Sequence, residues 1–364
     1  MISSSSPSVV DLRPLVASLA PDRRALLDRL FEITETVGHL EPPEEMREWI
    51  EKFFGSVEVV HSQRIVRVTN RVTYEGALSN ELRARRPMEA KGADDARAEI
   101  AKSEGDPFCH PETGTPADTF GRIHGAHSIT ASNIAKYDGF HGVLVFDRHD
   151  PIAPVDATQL ADYLATCRRW AEAAHGTDEE ARYYFLLWNS LWRAGASIVH
   201  GHMQMTLTRG SHYAKVEALR EAASRYRTRH GADYFDDLIA AHEALGLARR
   251  VGDATILASL VPIKERELVI VAPQGADERS LAAALSAAVT AHRALGVLSW
   301  NMALYVPPLD DDGRDWSALR VHARLVDRGD PGNRTSDIGT MELYATSVVA
   351  ADPFRVIEAV AAAM

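Results

Sequence analysis

One order of elements occurs twice in this chain: an apolar strand, an amphipathic helix and two further strands. Residues 142–146, GVLVF, read as a buried strand. Asp156 is placed to cap the next helix, where Leu160, Leu164, Cys167 and Ala171 share one face. Segments 183–190 (YYFLLWNS) and 197–207 (SIVHGHMQMTL) read as strands joined by the glycine-containing turn LWRAGA. The second pass runs through a strand at 266–273 (RELVIVAP) and a helix from Asp277 to about 295. Strands at 300–308 (WNMALYVPP) and 318–326 (ALRVHARLV) complete it. The two passes share little identity, so repeated order is the sign of an internal duplication. The expected fold is α+β, with two fused halves.

The rest of the chain fits around this pair. Residues 1–60 read as a helical extension, with helices over 22–36 and 43–54. The charged run at 88–106 reads as a solvated helix or a connection. Helices at 214–229 and 234–246 connect the halves, and one at 353–363 closes the chain. The expected units are therefore 1–60, a first half over 61–212 and a second half over 213–364.

Composition narrows the function. A net charge of −11 over 364 residues excludes a general nucleic-acid binder, which needs a basic face to displace counterions. A few focused arginines still suffice for a small phosphate. The opening MISSSSPSVVDLRPLV has no basic region and no long apolar run, so neither a signal peptide nor a membrane span is expected. Cys109 and Cys167 are the only cysteines, so no disulfide framework is expected and a reducing cytoplasm is the default.

The most informative segment is His200-Gly201-His202-Met203-Gln204. On a strand, His200, His202 and Gln204 share one face. Three polar side chains on an apolar strand cost desolvation unless they have partners. Gly201 leaves the opposite face open to close approach. By these five residues alone, a surface strand with a hydrated histidine pair is an equal reading.

The flanking residues decide between them. Asn189, Gly195-Ala196-Ser197 and His200-x-His202-x-Gln204 together resemble the active-site segment of the galactose-1-phosphate uridylyltransferases. Upstream, 140–149 (FHGVLVFDRH) resembles the histidine-strand-histidine segment of histidine-triad proteins. Arg83-Ala-Arg-Arg86-Pro is similar to the Arg-x-x-Arg-Pro of the same transferases, and Asp106-Pro-Phe-Cys109 to their Cys-Pro-Phe-Cys. The matches follow family order over roughly 80–350. The resemblance implies two fused histidine-triad-like halves, each an antiparallel sheet with packed helices, the first half catalytic.

It also implies a two-step displacement in which His202 attacks a nucleotide α-phosphorus and forms a histidyl–nucleotide. Imidazole suits the role, being nucleophilic near neutral pH. Its other ring nitrogen is expected to donate to a backbone carbonyl. Gln204 favours transfer over hydrolysis, because a carboxamide binds a phosphate oxygen but is neither acid nor base. Ser197, Gly195 and Ala196 are implied phosphate contacts. Arg83 and Arg86 are implied binders of further phosphates, Asn133 and Asn189 of substrate. The expected reaction moves a nucleoside monophosphate from a sugar nucleotide to a sugar 1-phosphate. Phosphorolysis of a dinucleoside polyphosphate or nucleoside-diphosphate sugar, and nucleotide binding without turnover, are the alternatives. A homodimer is compatible with the sequence.

Some of these transferases hold a structural zinc, and the matching positions are Asp106, Cys109, His149 and His200. All are competent zinc ligands, although a carboxylate replaces one thiolate. His110 is a less favoured substitute. A second metal position of the family is not expected, because Tyr305 and Arg324 stand where two histidines would be, leaving His322. Arg324 and Glu342 are expected in ion pairs rather than against substrate.

Overall fold

The computed structural model describes residues 7–80, 82–83, 96–333 and 335–364. Helices Leu12–Ser18 and Pro21–Leu30 lead into β1 (Phe31–His39), which pairs antiparallel along its whole length with β2 (Ser62–Asn70). β2 then pairs with β3 (Gly76–Ser79). The helix expected over 22–36 thus stops at Leu30, and the first 60 residues are not wholly helical. Leu27 and Leu30 give the helix its buried positions, whereas Ile33, Thr34, Thr36 and Val37 are β-branched and favour extended backbone. The second expected helix forms at Arg47–Phe54.

Nine strands make one antiparallel sheet. They are β4 (Ser128–Ser132), β5 (Phe140–Phe146), β6 (Ala181–Asn189), β7 (His202–Arg209), β8 (Ala248–Val251), β9 (Ala254–Ala258), β10 (Leu268–Val271), β11 (Trp300–Tyr305) and β12 (His322–Asp327). Their order is β4-β5-β7-β6-β11-β12-β10-β9-β8. The first four strands and the last five form the two halves. Their sheets join edge to edge where β6 pairs with β11, from Leu186↔Leu304 to Asn189↔Asn301. A final strand, β13 (Ser347–Val349), runs parallel to β3 and ties the C-terminal region to the N-terminal sheet.

The duplicated helices cover one face. Ala157–Thr177 follows β5 and Ala282–Ala294 follows β10, and the two helices pack together. The first opens with a capping box between Asp156 and Gln159. A Cβ on Gly142 would stand 2.5 Å from the Trp170 ring, so the glycine lets this helix lie close on β5. Trp188 and Trp300 meet edge to face across the seam, with centroids 5.4 Å apart. Met203, Met205 and Leu207 of β7 join this shared core. By strand alternation His202, Gln204 and Thr206 take the opposite face.

Candidate active site

The segment expected as a strand over 197–207 is a strand only from His202 onward. Residues 190–201 form a loop closed around Leu191, whose carbonyl accepts the N–H groups of Ala194 and Ala196 at 3.1 and 3.2 Å. Leu191 has φ +65°, a conformation unfavourable for a branched side chain, and is held there by complete burial. Gly195 follows at φ +94°, where a side chain would add strain. Its N–H bonds Trp192 O at 2.9 Å. The Gly195 and Ala196 amides therefore close the loop and are not open to a phosphate. Ser197 is exposed and makes no hydrogen bond among the described residues.

At the start of β7, His202 Nδ1 lies 2.7 Å from His200 O. A carbonyl only accepts, so Nδ1 carries the proton and Nε2 holds the lone pair. Nε2 has no hydrogen-bond partner among the described residues, yet it is not sealed from solvent. Burial lowers the His202 pKa below the usual histidine range, which keeps the ring neutral. Phe108 presents its ring edge-on to His202 at 5.2 Å and to His200 at 6.2 Å. Gly201 admits the Phe146 ring behind the strand, since a Cβ there would stand 2.6 Å from it.

Two carboxamides flank this histidine. Gln204 Oε1 lies 2.9 Å from His141 Nε2. Asn189 Oδ1 accepts from Asn301 Nδ2 at 2.6 Å. Because β6 and β7 pair at Leu187↔Gln204, Asn189 comes beside His202 two residues further on. Asn133 bends its own loop, with Oδ1 accepting from Ala135 N at 3.0 Å, and its Nδ2 is 3.3 Å from His141 Nε2. His141, Phe108 and Asn301 entered the sequence reading only as members of the 140–149, 106–109 and 300–308 segments, without a role of their own. The histidine in an apolar strand was a usable signal for the first; nothing local marks the other two.

Arg83 is exposed at the rim of a groove on the N-terminal sheet, lined also by Leu40, Trp49 and Phe54. No hydrogen bond or ion pair joins it to His202, Gln204 or Ser197 among the described residues. Arg86 lies outside the described residues.

Near His202, Asp106, Cys109, His149 and His200 converge, one ligand atom from each lying within 4.8 Å of the others. His149 Nδ1 and His200 Nδ1 are 3.3 Å apart, and Cys109 Sγ is 3.4 and 3.5 Å from them. Asp106 oxygens lie 3.7 Å from His200 Nδ1 and 3.9 Å from His149 Nδ1. Edges of a tetrahedral zinc site with nitrogen and sulfur ligands are roughly 3.3–3.6 Å.

The proton arrangement points the same way. His200 Nε2 is 2.9 Å from Phe146 O and His149 Nε2 is 2.8 Å from Ile100 O. Both rings donate outward through Nε2, so both Nδ1 lone pairs face inward. Asp106 Oδ1 caps the turn Pro107–Cys109, accepting from Phe108 N and Cys109 N, while Oδ2 is enclosed without a partner. Inward lone pairs, a sulfur and an unpaired carboxylate oxygen are mutually repulsive without a cation. The donor set fits a four-coordinate divalent metal. His110 is exposed and outside the cluster.

In the second half, Arg324 donates to Glu267 at 2.7 Å and to Glu75 at 2.6 Å, the ion pairing expected of it. Glu342 makes no ion pair among the described residues. It instead accepts the Gly339 N–H at 2.9 Å and caps helix Thr340–Tyr344.

No protein-family model matches the chain, and no curated protein matches it in sequence. Solved structures do match in fold. An ADP-glucose phosphorylase from Arabidopsis thaliana, solved with bound ADP-glucose, superimposes with TM-score 0.62 at 15% identity, over 80% of this chain and 97% of that one. A GalT-like protein from the same plant gives TM-score 0.56 at 15% identity, covering 71% and 91%. A uridylyltransferase gives 0.55 at 17% identity, covering 68% and 88%. The chain has the fused two-half form of the histidine-triad fold. Within that fold, its neighbours are nucleotidyl-transferring and phosphorolytic enzymes.

Proposed function

We propose that the protein is a nucleotidyl transferase working through a covalent histidyl–nucleotide on His202, with the catalytic half within 61–212. The carrying observation is the pairing of a fixed Nδ1–H with a free Nε2 at His202. The Nε2 lone pair forms a bond to the α-phosphorus as the bond to the leaving phosphate oxygen breaks. An oxygen of the acceptor phosphate then attacks the same phosphorus, and the N–P bond breaks. His200 O stabilises the charge that develops on the imidazole during the first step. Gln204 and Asn189 donate to phosphate oxygens, and neither activates water. Ser197 adds a hydroxyl donor, and Arg83 with Arg86 binds the more distant phosphates.

The donor is a nucleoside-diphosphate sugar and the acceptor a sugar 1-phosphate. Phosphorolysis, with inorganic phosphate as acceptor, is the second reading. It is supported by the match over 97% of the ADP-glucose phosphorylase. Asp106, Cys109, His149 and His200 would hold a structural zinc. The bound metal would contribute folding free energy and no step of the reaction.

Intact-mass measurement after separate incubation with ADP-glucose, UDP-glucose and a GDP-sugar tests the reading. The expected result is a gain of one nucleoside monophosphate, absent in His202→Ala and discharged by a sugar phosphate or inorganic phosphate. No adduct with any donor would overturn covalent transfer and leave a nucleotide-binding protein. An adduct lost equally fast without acceptor would make the protein a hydrolase.

A further inference from the structure

The geometry points to His141 and Asn301 as positioning residues that lock the Gln204 and Asn189 carboxamides, oxygen turned away and NH2 presented to a phosphate at His202. This deepens the transfer reading and rests on it. The two ends of a carboxamide have the same shape, so only the bonding network says which way it faces. Here each network begins at a group that can only donate, and that settles every later atom.

The first relay starts at the backbone N–H of Tyr137, 2.9 Å from His141 Nδ1. That nitrogen must accept, so it carries no proton. Burial holds His141 below the usual histidine range against the opposing hydrogen bond to Gln204, with Lys136 acting in the same direction as burial and Asp118 opposing it. The ring is therefore neutral, and its single proton is on Nε2. Nε2–H has two neighbours, the Asn133 NH2 at 3.3 Å, which cannot accept, and the Gln204 side chain at 2.9 Å, so the atom it bonds is the Gln204 oxygen. The Tyr137 ring stacks on His141 with centroids 4.4 Å apart and planes 24° from parallel, which fixes the imidazole plane. Gln204 Nε2 is left without a partner among the described residues and is not enclosed.

The second relay starts at Arg328, whose guanidinium can only donate and which is held by both oxygens of Asp337 at 2.8 and 3.0 Å. It donates to the Asn301 side chain, making that atom Oδ1. Asn301 Nδ2 then donates to Ala194 O at 2.7 Å and to Asn189 at 2.6 Å, so Asn189 receives through its oxygen. Asn189 Nδ2 faces the loop, 4.0 Å from where a Cβ on Gly195 would stand. The relays arrive from opposite sides, one from β5 and one from β11. An untethered amide could turn its oxygen to the phosphate and oppose two acceptors; the tethers remove that state before substrate arrives.

The test has an activity-independent arm and a kinetic arm. Long-range 1H–15N spectra of the histidine rings should show His141 protonated on Nε2 and bare on Nδ1; the reverse tautomer overturns the proposal. In the kinetic arm, formation of the nucleotide adduct is followed with ADP-glucose and UDP-glucose as donors. His141→Phe should slow the step at saturating donor by about tenfold or more, with a smaller change in the half-saturating concentration. His141→Gln, which can donate from the same place, should recover most of the loss. In a Gln204→Ala background, His141→Phe should change the rate by less than about twofold, because the two residues act as a unit. Equal losses in both backgrounds would reduce His141 to a packing residue and overturn the proposal. Asn301→Leu should likewise be silent once Asn189 is Ala. If the wild type forms no adduct at all, covalent transfer fails, and the tautomer alone decides the first relay.

Discussion

Strands β7 and β12 hold equivalent places on either side of the seam. Each lies between the two neighbours that its half supplies, and each begins with a histidine registered against a valine: Val145↔His202 and Val271↔His322. In each, histidine Nδ1 bonds the carbonyl two residues back, at 2.7 Å for His202 and 2.8 Å for His322. The local backbone chemistry is thus the same twice. The difference lies two residues on, where the Gln204 amide nitrogen has no partner among the described residues and Arg324 is fixed between Glu267 and Glu75. The cavity beside His322 and Arg324 is about 40 Å³, room for a water or two and not for a nucleotide. A tautomer-fixed histidine is therefore not sufficient for a site. The frame fixes the histidine tautomer in both halves, and what differs is the residue two positions on, a carboxamide with a free amide nitrogen or a paired guanidinium.

The largest expected effect breaks the symmetry outright. His202→Ala should reduce adduct formation by roughly three orders of magnitude or more. His322→Ala should leave that rate within about threefold while lowering the denaturant midpoint, because it removes a fully buried ring. Comparable rate losses in the two variants would mean that both halves take part in the reaction.

A smaller effect separates the cation sites of the two halves. Cys109→Ser and His149→Asn should lower bound zinc and thermal stability together, and a strong chelator should reproduce the loss in the wild type. Arg324→Met should cost roughly 3–5 kcal/mol by stranding the buried Glu267 carboxylate, in a manner insensitive to chelator. Elemental analysis beside unfolding curves measures both. Absence of near-stoichiometric metal in protein purified without chelator removes zinc from the description.

The smallest effect is a slope. Burial pushes His322 from 6.5 down to about 4, so the unfolded chain binds this proton more readily than the folded one. The stabilisation is complete above about 6.5 and is lost as pH falls toward about 4. His242 and His292, also in the second half, are lowered to about 4 as well. Each proton contributes at most about 1.4 kcal/mol per pH unit. Replacing His322 with Phe should flatten the acid limb of the unfolding free energy by about one such proton. An unchanged slope would show that His322 is not buried neutral.

What the sequence disclosed follows the same division. Strands β5, β7, β10 and β12 were legible because their apolar runs are largely buried on both faces, and β6 and β11 because buried residues alternate with half-buried ones. The hairpin of β8 and β9 was missed: ARRV is half exposed and carries no alternation that marks a strand. The first part of β1 was read as helix because Leu26, Leu27 and Leu30 carry a helical spacing up to it, and its pairing with β2 leaves no local trace. The parallel pairing of β13 with β3 joins residues far apart in the chain and leaves no local trace. The convergence of Asp106, Cys109, His149 and His200 beside the His202 strand was readable through spacing and a resemblance. Asn301 was not, because its role exists only through contacts made across the seam.

That seam also limits how the molecule can be divided. Between Leu186–Asn189 and Asn301–Leu304, backbone donors and acceptors of the two halves satisfy each other. Cutting the chain between them would leave either fragment with a bare sheet margin, and Trp188 or Trp300 would lose its cross-seam ring contact. Such margins recruit further strands, from a second copy or from an aggregate. The remaining margins of the intact sheet are β4, five residues long, and β8, four residues long. Joining the halves thus conceals two sheet margins by pairing them with each other, and a severed half is better sought as a pair than as a monomer.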